Sequence, residues 1–204
     1  MTRIEQILTE RRMSDGLDNP GNSLKGLYDL INTIKRPDMQ IIEIGNYEGA
    51  TAELFFLTLE HKSQNINPHL YCIDPYAKGE FFGQETLEDL DRAEKVFIQR
   101  MMKDEYYLGG NLTKIKKKSL NAVNMFDRES IDLCYIDGDH RVFSVMMDIL
   151  SYAPKVKQDG WIAGHDYNDS VKIAVDKLIG KPDMVFEDSS WIISKSNFIK
   201  QFEH

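Results

Sequence analysis

Acids, histidines and glycines follow directly on short apolar runs of this chain, and these residue types bind cofactors, metal ions and protons. Glu43, Asp74 and Asp137 each come at the end of such a run, and the pair His165 and Asp166 ends another. If the runs are parallel strands, their carboxyl ends lie at one edge of a sheet, where ligands bind in open α/β structures. The sequence therefore predicts a single site at that edge, rich in carboxylate and imidazole groups.

The loop after the first of these runs, EIGNYEG, predicts a cofactor-binding turn. Gly45 and Gly49 bracket a tight bend into a helix, and glycine lets the backbone come close to a ligand. The middle glycine of the dinucleotide fingerprint is missing, and the Glu43 carboxylate would repel phosphate and attract a cation. A cofactor with an ammonium group and no phosphate fits this loop, although a plain strand–turn–helix bend also explains the two glycines.

Asp74 follows the second apolar run and has two interpretations. An acid at the end of the second strand can accept hydrogen bonds from both hydroxyls of a ribose. Alternatively, Asp74 and Pro75 form a simple turn. We favour the ribose role because the glycine loop is expected beside it.

The residues that end two further apolar runs, 131–137 and 160–166, predict a metal site with a general base next to it. Asp137, His165 and Asp166 converge if their strands are neighbours, and a mixed carboxylate and imidazole set favours Mn²⁺ or Fe²⁺ over Mg²⁺. A bound ion would lower the pKa of a substrate hydroxyl and orient its oxygen. His140, which follows Asp139, has the ordinary pKa of a general base.

Simpler interpretations of the same residues need no ligand. Asp166, Asn168 or Asp169 would then cap the helix that begins near residue 170. His140 would begin the preceding helix and face water.

The elements that must position these residues alternate between strand and helix. Apolar runs predict strands at 39–45, 69–74, 112–118, 131–137, 160–166, 184–187 and 191–195. Apolar residues at helical spacing predict helices at 3–12, 24–34, 50–61, 84–106, 141–153 and 170–180. The alternation predicts an α/β fold with a mainly parallel sheet and helices on both faces, and the final two strands predict one antiparallel member.

The chain length predicts one domain, residues 23–204, preceded by an N-terminal helical segment, residues 1–22. The N-terminal helix is expected either to cover the cofactor as a lid or to contact a second copy of the chain. A homo-oligomer is therefore one expectation.

Residues 76–111 are longer than a normal crossover and predict a helical insertion in this domain. Its aromatic start contains Tyr76, Phe81 and Phe82. These side chains form either a wall of the substrate pocket or the apolar seat of the predicted helix at 84–106.

Composition excludes several classes of function. The 204 residues carry 25 Lys and Arg against 33 Asp and Glu, a net charge of −8, and so lack the basic footprint of general nucleic-acid or anionic-membrane binding. The N-terminal segment is charged and no window is apolar enough to span a membrane, so we expect a cytoplasmic protein. Cys72 and Cys134 lie within apolar runs and are expected to be buried free thiols.

The ordered motifs EIGNYEG, YCID, SIDLCYIDGDH and DGWIAGHDY resemble the class I S-adenosylmethionine-dependent methyltransferases. The resemblance is strongest to the small-molecule O-methyltransferase branch that includes macrocin-type sugar methyltransferases, and it covers roughly residues 24–195. It implies a Rossmann-like seven-stranded sheet, mainly parallel, with the last strand antiparallel. It also implies S-adenosylmethionine as cofactor and a small hydroxylated acceptor. The exclusion of nucleic-acid and membrane partners rests on the composition described above.

The resemblance further implies site residues. The loop that holds the methionine half of the cofactor matches Glu43, Gly45, Asn46, Tyr47 and Gly49. The ribose and adenine contacts match Asp74, Ser119 and Leu120. Ser119 is alternatively a helix N-cap. Asp137 is expected to contact the cofactor and to act in catalysis with His140.

Metal-dependent members of the resembled branch carry one acid at the first metal position and two adjacent acids at the second. Asp137 and Asp166 match this pattern, but His165 stands where an acid is usual. The difference leaves open whether the ion is Mg²⁺, Mn²⁺ or Fe²⁺, and whether an ion binds at all.

Three functions compete on these residues. The leading one is S-adenosylmethionine-dependent methyl transfer to a hydroxyl of a small molecule, assisted by a metal. A metal-dependent oxygenase or hydrolase is the second, because His140, His165 and Asp166 can form a two-histidine, one-carboxylate triad. The third is a non-catalytic member that binds the cofactor or a partner protein. The glycine pattern disfavours an NAD-linked dehydrogenase.

Overall fold

The apolar runs form one seven-stranded sheet in the computed structural model, which describes residues 1–14, 24–34, 36, 38–60, 68–77, 86–101 and 111–202. The strands are β1 (Gln40–Ile44), β2 (His69–Ile73), β3 (Leu112–Ile115), β4 (Ile131–Ile136), β5 (Val156–Gly164), β6 (Met184–Val185) and β7 (Trp191–Ser194). Their order across the sheet is β3-β2-β1-β4-β5-β7-β6. The first five pair in parallel, and β7 runs antiparallel to both β5 and β6. The predicted Rossmann-like sheet with its antiparallel last member is confirmed.

Helices cover both faces of the sheet, as predicted. The described α-helices are α1 (Arg3–Ser14), α2 (Lys25–Ile34), α3 (Ala50–Glu60), α4 (Leu87–Met101), α5 (Ser119–Ala122), α6 (Val142–Tyr152), α7 (Asp169–Ile179) and α8 (Lys195–Lys200). Side chains from α1 to α4 pack in one core, and side chains from α5 to α8 pack in the other. Strand residues alternate between the two, since Ile41 belongs to the first core and Ile42 to the second.

Several element assignments differ from the sequence prediction, among them the final strands, predicted at 184–187 and 191–195, which end at Val185 and Ser194. Strand β3 ends at Ile115, because the lysines at 116–118 are exposed and continue no ladder. Strand β5 begins at Val156, which pairs with Ile131 although the intervening residues are polar. Helix α8 was not predicted, because a six-residue segment carries too few apolar positions to show a helical period.

The start of the predicted insertion packs under α4. Tyr76 is 5% exposed, and its ring centroid lies 6.2 Å from that of Phe97 on α4. This contact favours the interpretation of Tyr76 as the seat of the helix. Phe81 and Phe82 lie outside the described residues, as does the boundary predicted after residue 22.

An ion cluster fixes α1 to the body of the molecule. The Arg3 guanidinium donates to both carboxylate oxygens of Glu53 on α3, at 2.9 and 2.7 Å, and Arg100 of α4 donates to the same carboxylate at 2.9 Å. Glu53 is fully buried, so the two cations compensate its charge. Ile7 of α1 is 1% exposed and packs in the same core.

Asp188, in the turn between β6 and β7, caps helix α2. Its Oδ2 accepts the backbone N–H of Leu27 at 2.9 Å, and its Oδ1 accepts that of Ser190 at 3.0 Å. The carboxylate is buried, at 1% exposure, and it lies at the positive end of the helix. The hairpin at the end of the chain therefore holds the first helix of the domain.

Cys72 and Cys134 are buried free thiols, as predicted. No helix within the described ranges has the length and apolar character needed to cross a bilayer.

Candidate functional site

The sheet places the predicted site residues at one edge by extending its ladder one residue past each strand. The residues that follow β1, β2, β4 and β5 each donate a backbone N–H to the last residue of a neighbouring strand. These donors are Gly45, Asp74, Asp137 and His165, with N···O distances of 2.9, 3.2, 2.8 and 3.1 Å. The four loops therefore leave the sheet in fixed register.

Gly45 brings two of these loops into contact. Its φ is +85°, and a Cβ at this position would lie 2.1 Å from the backbone oxygen of Asp137. Gly49 has a φ of +78°, and its Cβ would lie 2.8 Å from the Phe97 ring. Both glycines are thus required by conformation and by space.

The Asp74 carboxylate ties the glycine loop to the end of β2. Its Oδ2 accepts the backbone N–H groups of Asn46 and Tyr47, both at 3.0 Å, and its Oδ1 accepts that of Tyr76 at 2.8 Å. The bond to Tyr76, two residues on, is an Asx turn, so the turn interpretation also holds. Burial raises the pKa of Asp74, and the three N–H donors act against that shift. Oδ1 retains lone-pair capacity for a ribose hydroxyl, whereas the two N–H donors occupy Oδ2.

Tyr47 adopts a backbone conformation that is rare outside glycine, with a φ of +44°. Its N–H is held by Asp74, and its carbonyl oxygen accepts the Tyr76 hydroxyl at 3.0 Å. The side chain is 40% exposed, and Asn46 beside it is buried. The surrounding contacts fix the loop in this conformation, as is common in ligand-binding loops.

Glu43 lies below the glycine loop and is fully buried. Its backbone oxygen accepts the Asn46 side-chain amide at 3.4 Å. Burial, together with the charges of Glu43 and Asp74, raises the pKa of the Cys72 thiol well above its ordinary value, so that Cys72 stays protonated and inert.

Ser119 begins α5 after β3, and Leu120 next to it is 43% exposed. The N-cap residue of α5 is Lys118, which makes no side-chain cap bond, so the interpretation of Ser119 as a cap is wrong. The Ser119 hydroxyl instead donates to Asp148 Oδ1 at 2.5 Å, and its carbonyl oxygen accepts the Tyr152 hydroxyl at 2.7 Å.

Asp148 was not among the site residues predicted from the sequence. It lies on the buried face of α6, at 4% exposure, and burial raises its pKa to about 6. The sequence signal for this position is a single acid on the apolar face of a predicted helix, because an acid there is seldom buried unless it has a partner.

Two carboxylates and two imidazoles meet where β4 and β5 end. His140 Nε2 lies 3.5 Å from Asp137 Oδ1 and 3.4 Å from Asp166 Oδ2. His165 Nδ1 lies 3.9 Å from Asp137 Oδ1 and 3.2 Å from Asp166 Oδ1. All four residues named by the sequence thus share one cluster.

The donor set of this cluster suits a divalent cation. Asp137, His140 and Asp166 each offer one ligand atom, and these atoms lie within 4.8 Å of one another. The predicted set had His165 in the place of His140, and His165 faces the same carboxylates with a side chain only 12% exposed. Oxygen with imidazole nitrogen is a donor set used by Mn²⁺, Fe²⁺ and Zn²⁺.

His140 is the accessible member of the cluster. The contact with Asp137 raises the pKa of its imidazole, although partial burial acts against the charged form. Its side chain is 51% exposed, so a substrate can reach it. Asp139, in contrast, turns away toward Arg141 and Ser144, and their hydrogen bonds outweigh burial and lower its pKa.

Asp166 does not cap the next helix. Its φ is +53°, and its carboxylate faces the two histidines. The N-cap residue of α7 is Asn168, which makes no side-chain cap bond. Of the three cap candidates, Asn168 therefore holds the cap position without a side-chain bond, Asp169 begins the helix, and Asp166 is not a cap.

Comparison with known proteins gives one family match that spans most of the site. The model of a family described as "Methyltransferase domain" matches residues 42–167. An uncharacterised protein of Acanthamoeba polyphaga mimivirus, R132, is 30% identical over 162 residues, which are 75% of this chain and 65% of that protein. The chain thus spans about two thirds of the length of this relative.

Two solved structures share the fold. CalS11, a TDP-rhamnose 3′-O-methyltransferase of calicheamicin biosynthesis, is 13% identical with a TM-score of 0.57, over 94% of this chain and 83% of that chain. TomG, an O-methyltransferase of tomaymycin synthesis from Streptomyces achromogenes solved with S-adenosylmethionine, is 13% identical with a TM-score of 0.57, over 94% of this chain and 88% of that chain. At this identity the likeness concerns the fold.

Proposed function

Because this chain belongs to the methyltransferase-domain family whose model spans residues 42–167, we propose that it moves the methyl group of S-adenosylmethionine to a hydroxyl of a small molecule. Family and fold support S-adenosylmethionine-dependent methyl transfer. The observation that supports a hydroxyl as the methyl acceptor is the position of His140, which is half-exposed between the carboxylates of Asp137 and Asp166. An imidazole so placed can accept the proton of an attacking hydroxyl.

The strand order supports an extended position of the cofactor along the sheet edge. The order β3-β2-β1-β4 puts Ser119 first, then Asp74, then the glycine loop, then Asp137. Adenine, ribose and the methionine part of S-adenosylmethionine follow each other in the same order. Ser119 and Leu120 would contact adenine, Asp74 the ribose, and Gly45 to Gly49 the methionine part, with Glu43 below and Asp137 beside the methyl group.

The acceptor step then uses groups of this chain in defined roles. The acceptor oxygen bonds to the methyl carbon as the carbon–sulfur bond breaks, and the electron pair of that bond stays on sulfur. The hydroxyl proton passes to the His140 imidazole at Nδ1, since Nε2 faces Asp137 and Asp166, whose charges stabilise the imidazolium. S-adenosylhomocysteine and the methyl ether are the products.

We propose that a divalent ion binds in this site and assists the methyl transfer. Asp137, His165 and Asp166 would hold it, which leaves His140 as the base. When bound, it would lower the pKa of the acceptor hydroxyl and fix its position. The alternative set, in which His140 replaces His165, would turn His140 into a ligand.

The acceptor class proposed is a small hydroxylated molecule, such as a sugar or a natural-product intermediate. CalS11 and TomG, which share the fold, are O-methyltransferases of that type of pathway. We propose that the partner is neither a nucleic acid nor a membrane, because a chain with a net charge of −8 lacks the basic surface that such partners bind.

Calorimetry tests the cofactor assignment first. The wild-type chain is titrated with S-adenosylhomocysteine, with and without Mn²⁺ or Mg²⁺, and binding is expected under at least one condition. Asp74→Ala should weaken binding by about tenfold or more, because the ribose hydroxyls lose an acceptor. No binding by the wild type at any metal concentration would contradict the proposal.

Metal binding is tested separately with Mn²⁺ alone. Asp137→Asn and Asp166→Asn should each weaken Mn²⁺ binding at least tenfold, measured by calorimetry or electron paramagnetic resonance. His165→Ala and His140→Ala then decide between the two ligand sets. Asp139→Asn is the matched control, since this acid of the same loop is engaged by Arg141.

A second candidate function has one observation in its favour. Asp166 lies between two imidazoles, 3.4 Å from that of His140 and 3.2 Å from that of His165, as in a two-histidine, one-carboxylate iron site. Oxygen uptake by the Fe²⁺-loaded chain without a methyl donor would favour this oxygenase. Cofactor binding without turnover on a broad set of acceptors would favour a non-catalytic member.

A further inference from the structure

Helix α6 holds the turn after β3 at two points. Asp148 accepts the Ser119 hydroxyl at 2.5 Å, and one helical turn later the Tyr152 hydroxyl donates to the Ser119 carbonyl oxygen at 2.7 Å. The side chain and the main chain of Ser119 are thus fixed separately from the same helix. This turn stands where the proposed cofactor position puts the adenine ring.

The two partners differ in exposure. Ser119 is half-buried at the sheet edge, while Asp148 behind it is 4% exposed. The ionisable groups that influence Asp148, or are influenced by it, are Asp139 before α6, Cys134 on β4 and Tyr152. Burial and the Asp139 charge raise the pKa of Asp148, and the Ser119 bond lowers it, giving about 6. The carboxyl group is therefore ionised above that pH.

A carboxylate accepts hydrogen bonds and donates none. Next to an ionised Asp148, the Ser119 hydroxyl must use its proton for that bond. Its oxygen then has only lone pairs, and no proton, to offer a ligand. A hydroxyl without such a partner rotates and serves a donor or an acceptor equally well.

We infer that Asp148 is a positioning residue of the cofactor site: it orients the Ser119 hydroxyl so that Ser119 accepts from an exocyclic amino group on the base. The inference rests on the proposed function and adds to it a preference for 6-amino over 6-oxo purines. The adenine amino group is a donor at this position. The 6-oxo group of hypoxanthine is an acceptor, and it would face the Ser119 lone pairs without a proton between them.

The test compares two ligands by calorimetry at pH 7.5, S-adenosylhomocysteine and its 6-oxo analogue S-inosylhomocysteine. The wild type is expected to prefer the adenine form by about tenfold or more. Asp148→Leu, close to isosteric, should bring the ratio of the two dissociation constants near one. Ser119→Ala should do the same. If the Asp148 variant does not fold, the wild-type ratio measured below about pH 6 decides the question, because protonation of Asp148 should bring it toward one.

Tyr152→Phe is the matched control, because it removes the bond to the Ser119 main chain and leaves the hydroxyl in place. The variant should keep the wild-type ratio of the dissociation constants of S-inosylhomocysteine and S-adenosylhomocysteine. An equal loss of preference in Tyr152→Phe would show general loosening of the turn and would overturn the inference. So would a wild type without preference, or a preference that survives either Asp148→Leu or Ser119→Ala.

The wild-type titration separates this inference from the proposed function. Absence of S-adenosylhomocysteine binding would overturn the function and the inference together. Binding with a preference that the variants leave unchanged would overturn the inference alone.

Discussion

His140 is the residue on which the proposed chemistry depends, because it reaches both carboxylates that flank it. Its Nε2 is 3.5 Å from Asp137 and 3.4 Å from Asp166, so the positive charge that the imidazole gains with a proton at Nδ1 lies next to two negative charges. The neighbouring acid Asp139 is engaged by Arg141 and Ser144 and takes no part in this arrangement. Adjacent residues of one loop therefore have different roles.

We predict that His140→Ala lowers kcat by about 100-fold or more, because general-base assistance is lost. The affinity for S-adenosylhomocysteine should stay within about twofold of wild type, since His140 lies beyond the proposed cofactor contacts. Asp139→Asn, the matched control, should keep kcat within a factor of about three. Equal losses in the two variants would contradict the assignment of His140 as base.

Asp148 gives a prediction about stability and pH. Its pKa is raised from 3.8 to about 6 in the folded chain, so the folded state disfavours its ionised form. The contribution of this group to stability is therefore complete below about pH 4 and is lost as the pH rises through about 6.

Asp148→Asn removes that titration. We expect the free energy of unfolding of the variant, relative to wild type, to rise between pH 4.5 and pH 7.5 by about 1–3 kcal/mol. Urea unfolding at the two pH values measures the difference. A difference that does not change with pH, or that changes in the opposite direction, would contradict the shift.

At the scale of elements, distant segments of the chain hold each other's ends. Asp188 in the last hairpin caps α2, and the cluster around Glu53 joins α1, α3 and α4. The sequence predicted these elements from apolar period, but it carried no sign of the contacts between them. The same limitation explains why Asp148 was missed, because its partner Ser119 lies 29 residues earlier in the chain.

We predict that Asp188→Ala lowers the free energy of unfolding by about 1–3 kcal/mol, because two buried N–H groups lose their acceptor. Glu187→Ala is the matched control, since this exposed acid precedes Asp188 directly. It should change stability by less than about 0.5 kcal/mol. Thermal or urea unfolding of both variants makes the comparison, and equal effects would argue against the cap.

At the scale of the whole molecule, the sheet separates two cores and gathers the polar site at one edge. The fold class and the carboxyl-end location were predictable, because strand–helix alternation and the topology of parallel sheets determine both. The distances between site residues were not predictable. The sequence placed His140 near Asp137, but only the fold shows that His140 also contacts Asp166. Side-chain direction in a loop depends on neighbours from other strands, which a linear pattern does not contain.

The distribution of charge gives a prediction at this scale. Much of the site's acidity, from Glu43, Asp74, Asp137 and Asp166, lies along the edge where a sulfonium would bind. S-adenosylmethionine carries one more positive charge than S-adenosylhomocysteine, so its relative affinity should fall with salt. We expect the affinity for S-adenosylmethionine, divided by that for S-adenosylhomocysteine, to drop about twofold between 50 and 500 mM NaCl, because salt screens the attraction of the acids for the sulfonium. Calorimetry measures both affinities. A ratio that rises with salt would contradict it.

Gly45 and Gly49 differ in what stands in the way of a side chain, and this difference has a genetic consequence. The obstacle at Gly45 is the backbone of Asp137, which no substitution elsewhere removes, whereas the obstacle at Gly49 is the ring of Phe97. A selection for revertants should therefore yield second-site suppressors of Gly49→Ala, with a smaller residue at position 97. For Gly45→Ala it should yield true revertants alone, which makes position 45 the least substitutable point of the loop across any lineage that keeps this activity.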